Sequence, residues 1–300
     1  MNVRKLDTFS GHRDCVYTLI HDKAPQKFFS AGGDGMVVGW DVNKPDLGEL
    51  VAKVDASIYA LAFDHQNEHL WVGHNFEGIQ RVDPINKKLI SSNKMANSAI
   101  FDIQLHHGKA LIGMGDGVIA VMDIENFAIQ KHIKASTKSV RSISVHPTQN
   151  HFAAGFSDHN IGIFDMDGFG LVKHISGHTN SVFAVRYSPD GKLLFSVGRD
   201  AVIRVWDAEN KYEQVGEIAA HMYAINDLVF SPDGRYMATA SMDKSIKVWD
   251  AKSLKLIKVI DRARHAGHAT SVNKLLWLGY QSLLLSASDD RMVSVWELDQ

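Results

Sequence analysis

Four times along this 300-residue chain a histidine, a hydroxyl and an aspartate recur at one fixed spacing. The sets are His12, Ser30 and Asp34; His178, Ser196 and Asp200; His221, Thr239 and Asp243; and His268, Ser286 and Asp290. In each, the hydroxyl stands 18 positions after the histidine and the aspartate four positions further on. These are the side-chain types of a hydrolase triad: a nucleophile, its general base and the carboxylate that orients the base. An enzyme needs one such site, in an accessible cleft beside an oxyanion hole. Four copies at one spacing predict a structural part reproduced with a repeating unit, so no residue is assigned a catalytic role.

The unit that carries these residues ends, seven times, in a Trp-Asp pair or a decayed version of one. The endings are Trp40-Asp41, Val82-Asp83, Met122-Asp123, Phe164-Asp165, Trp206-Asp207, Trp249-Asp250 and Trp296-Glu297, at intervals of 42, 40, 42, 42, 43 and 47 residues. Within each interval short apolar stretches alternate with turns, and no helical period is sustained. The fifth copy reads as four strands: Val182 to Ser188, Leu193 to Val197, Val202 to Ala208 and Gln214 to Ala219. Pro189-Asp190-Gly191 and Pro232-Asp233-Gly234 supply the fixed proline φ and the permissive glycine of tight hairpins. First strands are expected from Val16, Ile58, Ile100, Val140, Val182, Ile225 and Val272. The last copy runs out of chain after its third strand, and residues 3–9, with no partner of their own, are predicted to supply its fourth strand and so remove an exposed edge.

These repeats resemble those of the WD40 family over the whole chain. In that family a Gly-His pair opens a repeat, an Asp occupies the turn before the third strand, and Trp-Asp ends that strand. The counterparts here are Gly11-His12, Gly177-His178 and Gly267-His268, with Ala220-His221 a near match. The resemblance implies an all-β, seven-bladed β-propeller with four antiparallel strands per blade, forming a single domain over residues 1–300. It also implies that each Trp, hydroxyl, His and Asp form one buried hydrogen-bonded chain, with Trp40, Trp206, Trp249 and Trp296 as the indole members. The chemistry agrees, because an indole N–H only donates, a hydroxyl donates and accepts, and imidazole can link a hydroxyl to a carboxylate. Blades two, three and four depart from the pattern: Phe76, Ile112 and Ala154 replace a turn Asp or a hydroxyl, and Ser136 stands in place of the fourth blade's His.

Composition narrows the function. A net charge of −2 argues against a dedicated nucleic-acid or anionic-membrane binder. The one cysteine, Cys15, excludes an internal disulfide and fits a reducing compartment. The amino terminus lacks the apolar run of a secretory leader, and no segment approaches the ~18 consecutive apolar residues of a membrane helix. A cytoplasmic protein is the expectation. His106-His107 and the stretch from Arg264 to His268 lack a compact third ligand, so no metal is expected; no Gly-rich phosphate loop occurs, and no cofactor is expected.

The family resemblance also indicates where a partner would bind. The residue after the first core position of each first strand faces the upper channel mouth, which here selects Tyr17, Tyr59, Phe101, Arg141, Phe183, Asn226 and Asn273. Four are aromatic: they either plug a narrow channel and pack between blades, or supply rigid contact area and hold a cation, with Arg141 as an anchor for a carboxylate or phosphate. The residues before the turn aspartates should lie on the same face: Gly33, Ser157, Arg199, Met242 and Asp289, with Asn75 and Gly115 by looser alignment. Arg199 and Met242 are the adhesive members. The expected function is a non-catalytic scaffold that binds a protein or peptide segment, as a monomeric propeller within a larger assembly. A propeller hydrolase or lactonase would need carboxylates or histidines converging in the channel, and a nucleic-acid binder would stack bases on the rim aromatics.

Overall fold

The computed structural model describes residues 1–95 and 97–299. Among these residues, strands assemble into seven four-stranded antiparallel sheets, one per repeat. First strands open at Val16, Ile58, Ile100, Val140, Val182, Ile225 and Val272, as the period of the sequence requires. Middle strands are near-continuous apolar runs, such as Lys109–Met114 and Leu193–Gly198, buried along almost their whole length. Outer strands such as Leu171–Ser176 are largely exposed. That contrast follows from position, since a strand covered on both faces admits a polar residue only where it is hydrogen-bonded.

Residues 2–10 form the fourth strand of the seventh sheet, one residue longer at each end than the sequence predicts. Asn2–Ser10 runs antiparallel to Met292–Asp299, pairing Val3 with Leu298 and Phe9 with Val293. Phe9 is the anchor. Its ring meets Phe28 and Trp40 edge-on at centroid distances of 5.4 and 5.3 Å.

Contacts divide the chain into two compact units, Met1–Asn97 with Val229–Gln300, and Ser98–Leu228. The first unit holds apolar clusters around Phe9, Phe28 and Trp40, around Phe29, Val51 and Phe63, and around Val3, Trp277 and Trp296. The second is packed around Phe152 and Phe164 and around Val185, Leu194 and Trp206. Arg262–His265 forms a single helical turn, capped where Asp261 accepts a hydrogen bond from the Arg264 N–H at 2.9 Å. No helix among the described residues is long and apolar enough to cross a membrane.

Candidate functional site

In blade one the Trp40 indole donates to Ser30 Oγ at 2.7 Å, Ser30 lies 2.7 Å from His12 Nε2, and His12 Nδ1 lies 3.0 Å from Asp34. Blade five repeats this chain at 2.8, 2.7 and 2.9 Å through Trp206, Ser196, His178 and Asp200. Blade seven does so at 2.8 Å for all three links through Trp296, Ser286, His268 and Asp290. With the imidazole proton assigned to Nδ1, every link points one way: indole to hydroxyl, hydroxyl to Nε2, Nδ1–H to carboxylate. In blade six the Trp249 indole donates to Thr239 Oγ1 at 3.0 Å, and His221 is buried. Ser30, Ser196, Thr239 and Ser286 are all 0% exposed, so each hydroxyl sits where no substrate reaches it.

The aspartates also tie the chain to the backbone. Asp34 accepts from the Arg13 and Met36 N–H groups at 2.8 and 3.0 Å, and Asp200 accepts from Thr179 N–H at 3.1 Å. Burial pushes the Asp200 carboxyl up, but the hydrogen bond and charge of His178, the Thr179 N–H and the Arg204 guanidinium outweigh it and hold the group at about 2. Asp34 and Asp290 are likewise held below the usual carboxylate range: burial opposes ionisation, and the hydrogen bonds to backbone and histidine overcome it.

Six first strands carry an irregularity at the positions selected for the channel mouth. The register with the second strand shifts between Val16 and Thr18, Ile58 and Ala60, Ile100 and Asp102, Val140 and Ser142, Val182 and Ala184, and Val272 and Lys274. The skipped residues are Tyr17, Tyr59, Phe101, Arg141, Phe183 and Asn273. A bulge takes one residue out of the ladder and re-aims its side chain, so one backbone device presents each of these residues. All six are half-buried.

Within the first unit, Tyr17 and Tyr59 lie ring to ring at 4.8 Å, tilted by 35°. Asn273 Nδ2 donates to Val16 O at 3.0 Å and to Asp289 Oδ1 at 2.7 Å. Within the second unit, the Arg141 guanidinium lies 4.0 Å from the centre of the Phe101 ring and 5.1 Å from that of Phe183. Phe101 and Phe183 thus hold the chain's own cation. Asn226 is half-buried in its first strand, whereas Arg199 and Met242 are exposed.

Models of the WD domain, G-beta repeat, match residues 3–41, 127–165, 169–207, 212–250 and 260–297. The chain belongs to the WD40 family. No curated protein matches the sequence. Among solved structures, the crystal structure of the WD40 β-propeller domain of Doa1 is similar in fold, with a TM-score of 0.88 over 99% of this chain and 98% of that one. The identity is 18%, so the likeness is one of architecture.

The WD40 repeats that lack the full set of polar residues use substitutes. In blade four Ser136 Oγ donates directly to Asp158 at 2.6 Å, spanning with one hydroxyl what an imidazole spans elsewhere. In blade three Asp116 N–H donates to Ser98 Oγ at 2.9 Å. The residues before the turn aspartates bind the loops that enter the first strands: Gly33 N–H donates to Cys15 O, Gly115 to Ala99 O, Ser157 to Ser139 O, Arg199 to Ser181 O and Asp289 to Ser271 O, at 2.8–3.1 Å.

A second set of contacts was not read from the sequence. Ser139 Oγ donates to Gly115 O at 2.9 Å and Ser181 Oγ to Ser157 O at 3.0 Å, each reaching from one blade to the preceding one. In blade one the same place is taken by Cys15, whose thiol lies 3.7 Å from Asp289 O. Burial, reinforced by the contact with Asp289, pushes that thiol up to about 11. The signal was present, since these residues stand two positions before Arg141, Phe183 and Tyr17. Two first-strand carboxylates in the second unit are engaged by the fold: Asp102 accepts from Ile143 N–H at 2.7 Å, and Asp227 lies 3.3 Å from Arg186. Arg204, four residues after Asp200, adds an ion pair to that carboxylate at 2.9 Å.

Proposed function

We propose that this WD40 propeller is a non-catalytic scaffold that holds a segment of a protein partner at its upper channel mouth. The observation that carries the reading is the recurrent bulge, which presents Tyr17, Tyr59, Phe101, Arg141, Phe183 and Asn273 from equivalent places in six first strands. Bulges that re-aim side chains are common where a fold presents a binding surface. Half-buried aromatic rings give contact area at small entropic cost. Arg141, its guanidinium within 4.0 and 5.1 Å of the Phe101 and Phe183 ring centres, offers a charge that suits a carboxylate of the partner. Arg199 and Met242, both exposed, would extend the contact on their own units.

The complete burial of the four hydroxyls speaks against a hydrolase built on the repeated histidines. A formal charge of −2 supports a protein partner over a nucleic acid. The same reading takes residues 1–300 as one propeller domain acting as a cytoplasmic monomer within a larger assembly, in keeping with one unpaired cysteine. The test is affinity purification of the intact chain beside a variant with Tyr17, Tyr59 and Phe183 replaced by Ala. Loss of recurrent partners from the variant, at an unchanged circular dichroism spectrum and melting temperature, is the expected outcome. Recovery of the same partners by both would move the contact surface elsewhere.

A further inference from the structure

Strand Met36–Asp41 differs at one residue from the matching strands of blades three to seven, while blade two carries Arg81 at that place. Immediately before the strand-ending Trp, or its replacement, stand Val121, Ile163, Val205, Val248 and Val295 in blades three to seven, none more than 2% exposed. Blade one has Gly39 there. The backbone does not demand glycine, because a Cβ at this position would meet Phe29 and Val51 at 3.4 Å, an ordinary contact. In place of a side chain there is a groove of about 720 Å³. Its floor is Gly39 with the buried side chains of Phe29, Trp40, Val51 and Phe63. Phe29 and Phe63 stack at 5.9 Å and 24°, which makes the floor flat and rigid. Leu47 and Ile85, 69% and 74% exposed, stand on its rim.

The remaining lining is charged. Asp22, Asp41, Glu49 and Glu68 face Lys23, Lys27 and Lys44, a balance of −1. Glu68 pairs with Lys23, and Glu49 pairs with Lys87 at 2.8 Å. Among the described residues no ion pair engages Asp22 or Asp41, yet both carboxylates are held in place by backbone N–H groups, from Lys23 at 2.6 Å and Asn43 at 2.9 Å. A fixed acceptor beside an apolar floor suits a cation next to an apolar group. We propose that this groove docks an extended segment of a partner protein, with a leucine- or phenylalanine-sized side chain seated against Gly39 and a neighbouring Arg or Lys on Asp22 or Asp41. The groove is independent of the proposed channel-mouth contact: Tyr17 lies near the start of strand Val16–His21, and Asp22 follows its end.

The probe is a phage-displayed library of random dodecapeptides, selected on the intact chain and read against Gly39→Val, which fills the notch with the valine found there in blades three, five, six and seven. Gly39→Ala and Ile85→Glu serve as further variants in case valine disturbs Phe29. Peptides enriched on the native chain should pair a bulky apolar residue with Arg or Lys. Their affinity should fall about tenfold or more in Gly39→Val and in Asp41→Asn, and should persist in the Tyr17→Ala, Tyr59→Ala double variant. Any of these outcomes overturns the proposal: no peptide that separates the native chain from the folded notch variants, enriched peptides whose apolar residue neighbours Asp or Glu, or a native-chain dimer in sedimentation that Gly39→Val dissociates. Binding lost only with Tyr17 and Tyr59 replaced would likewise sink the groove, and would support the channel mouth.

Discussion

A serine hydroxyl gripped on both sides cannot serve two masters. In blade five Ser196 Oγ accepts from the Trp206 indole and lies 2.7 Å from His178, which in turn holds Asp200. Removing one member leaves a buried donor or acceptor without its partner, and the penalty is the desolvation of that group. Asp200→Ala and His178→Ala should each lower stability at neutral pH by about 2–4 kcal/mol, read from the urea midpoint. The sign with pH follows from the carboxyl. Its folded value of about 2 lies below the ordinary value near 3.9, so the stabilisation is complete above the ordinary value and is lost as pH falls through the folded one. The native chain should therefore lose more stability between about pH 4 and pH 2 than Asp200→Asn does. Parallel pH profiles for the two would show that the carboxylate holds nothing.

The strand from Asn2 to Ser10 shows how much depends on one element. It covers Val293 and Val295, fully or almost fully buried, and brings Phe9 against Trp40. Deleting residues 1–10 should expose strand Met292–Asp299 as a long apolar edge, which templates aggregation. The truncated chain should be recovered mainly in oligomers by size-exclusion chromatography, and a synthetic peptide of the missing strand should restore the monomer. A truncated chain that stays monomeric without the peptide would remove this strand from the account. By contrast Arg4, paired with Glu297 at 2.7 Å but two-thirds exposed, is expected to matter by less than about 0.5 kcal/mol when replaced by Ala. At this scale the sequence was legible wherever a strand's period and its turn agreed, which is why all seven first strands start where Val16, Ile58 and their equivalents stand. Bulges were not legible. Tyr17 and Arg141 differ from ladder residues only by a lost backbone pairing, which no side-chain pattern encodes. Gly39 was legible as a letter, Gly before Trp where blades three to seven have Val or Ile, but the groove beside it depends on Phe63 and Ile85, far away in sequence and brought near only by folding.

Across the whole chain the polar clamps are unevenly shared, and the imbalance has a measurable consequence. Blades one, five and seven fix their entry loops through Asp34, Asp200 and Asp290, whose carboxylates accept backbone N–H bonds from Arg13, Thr179 and Ala269. Blade two has Phe76 at the aspartate position and Val72 at the hydroxyl position, the latter completely buried. Apolar packing there can match the clamp in energy, but it is non-directional and holds no particular amide. Local opening is governed by such bonds, because an amide exchanges only when its own hydrogen bond breaks. The Arg13 and Thr179 amides should therefore exchange about tenfold or more slowly than the Asp55 amide, which occupies the equivalent place in blade two. Hydrogen exchange followed by nuclear magnetic resonance reads this directly, and Asp200→Ala should bring Thr179 to the rate of Asp55 without altering Arg13. Equal exchange at all three amides in the native chain would mean that packing alone orders the entry loops. The repeated His and Asp residues would then stabilise the blades without shaping the loops that lead into the proposed contact residues.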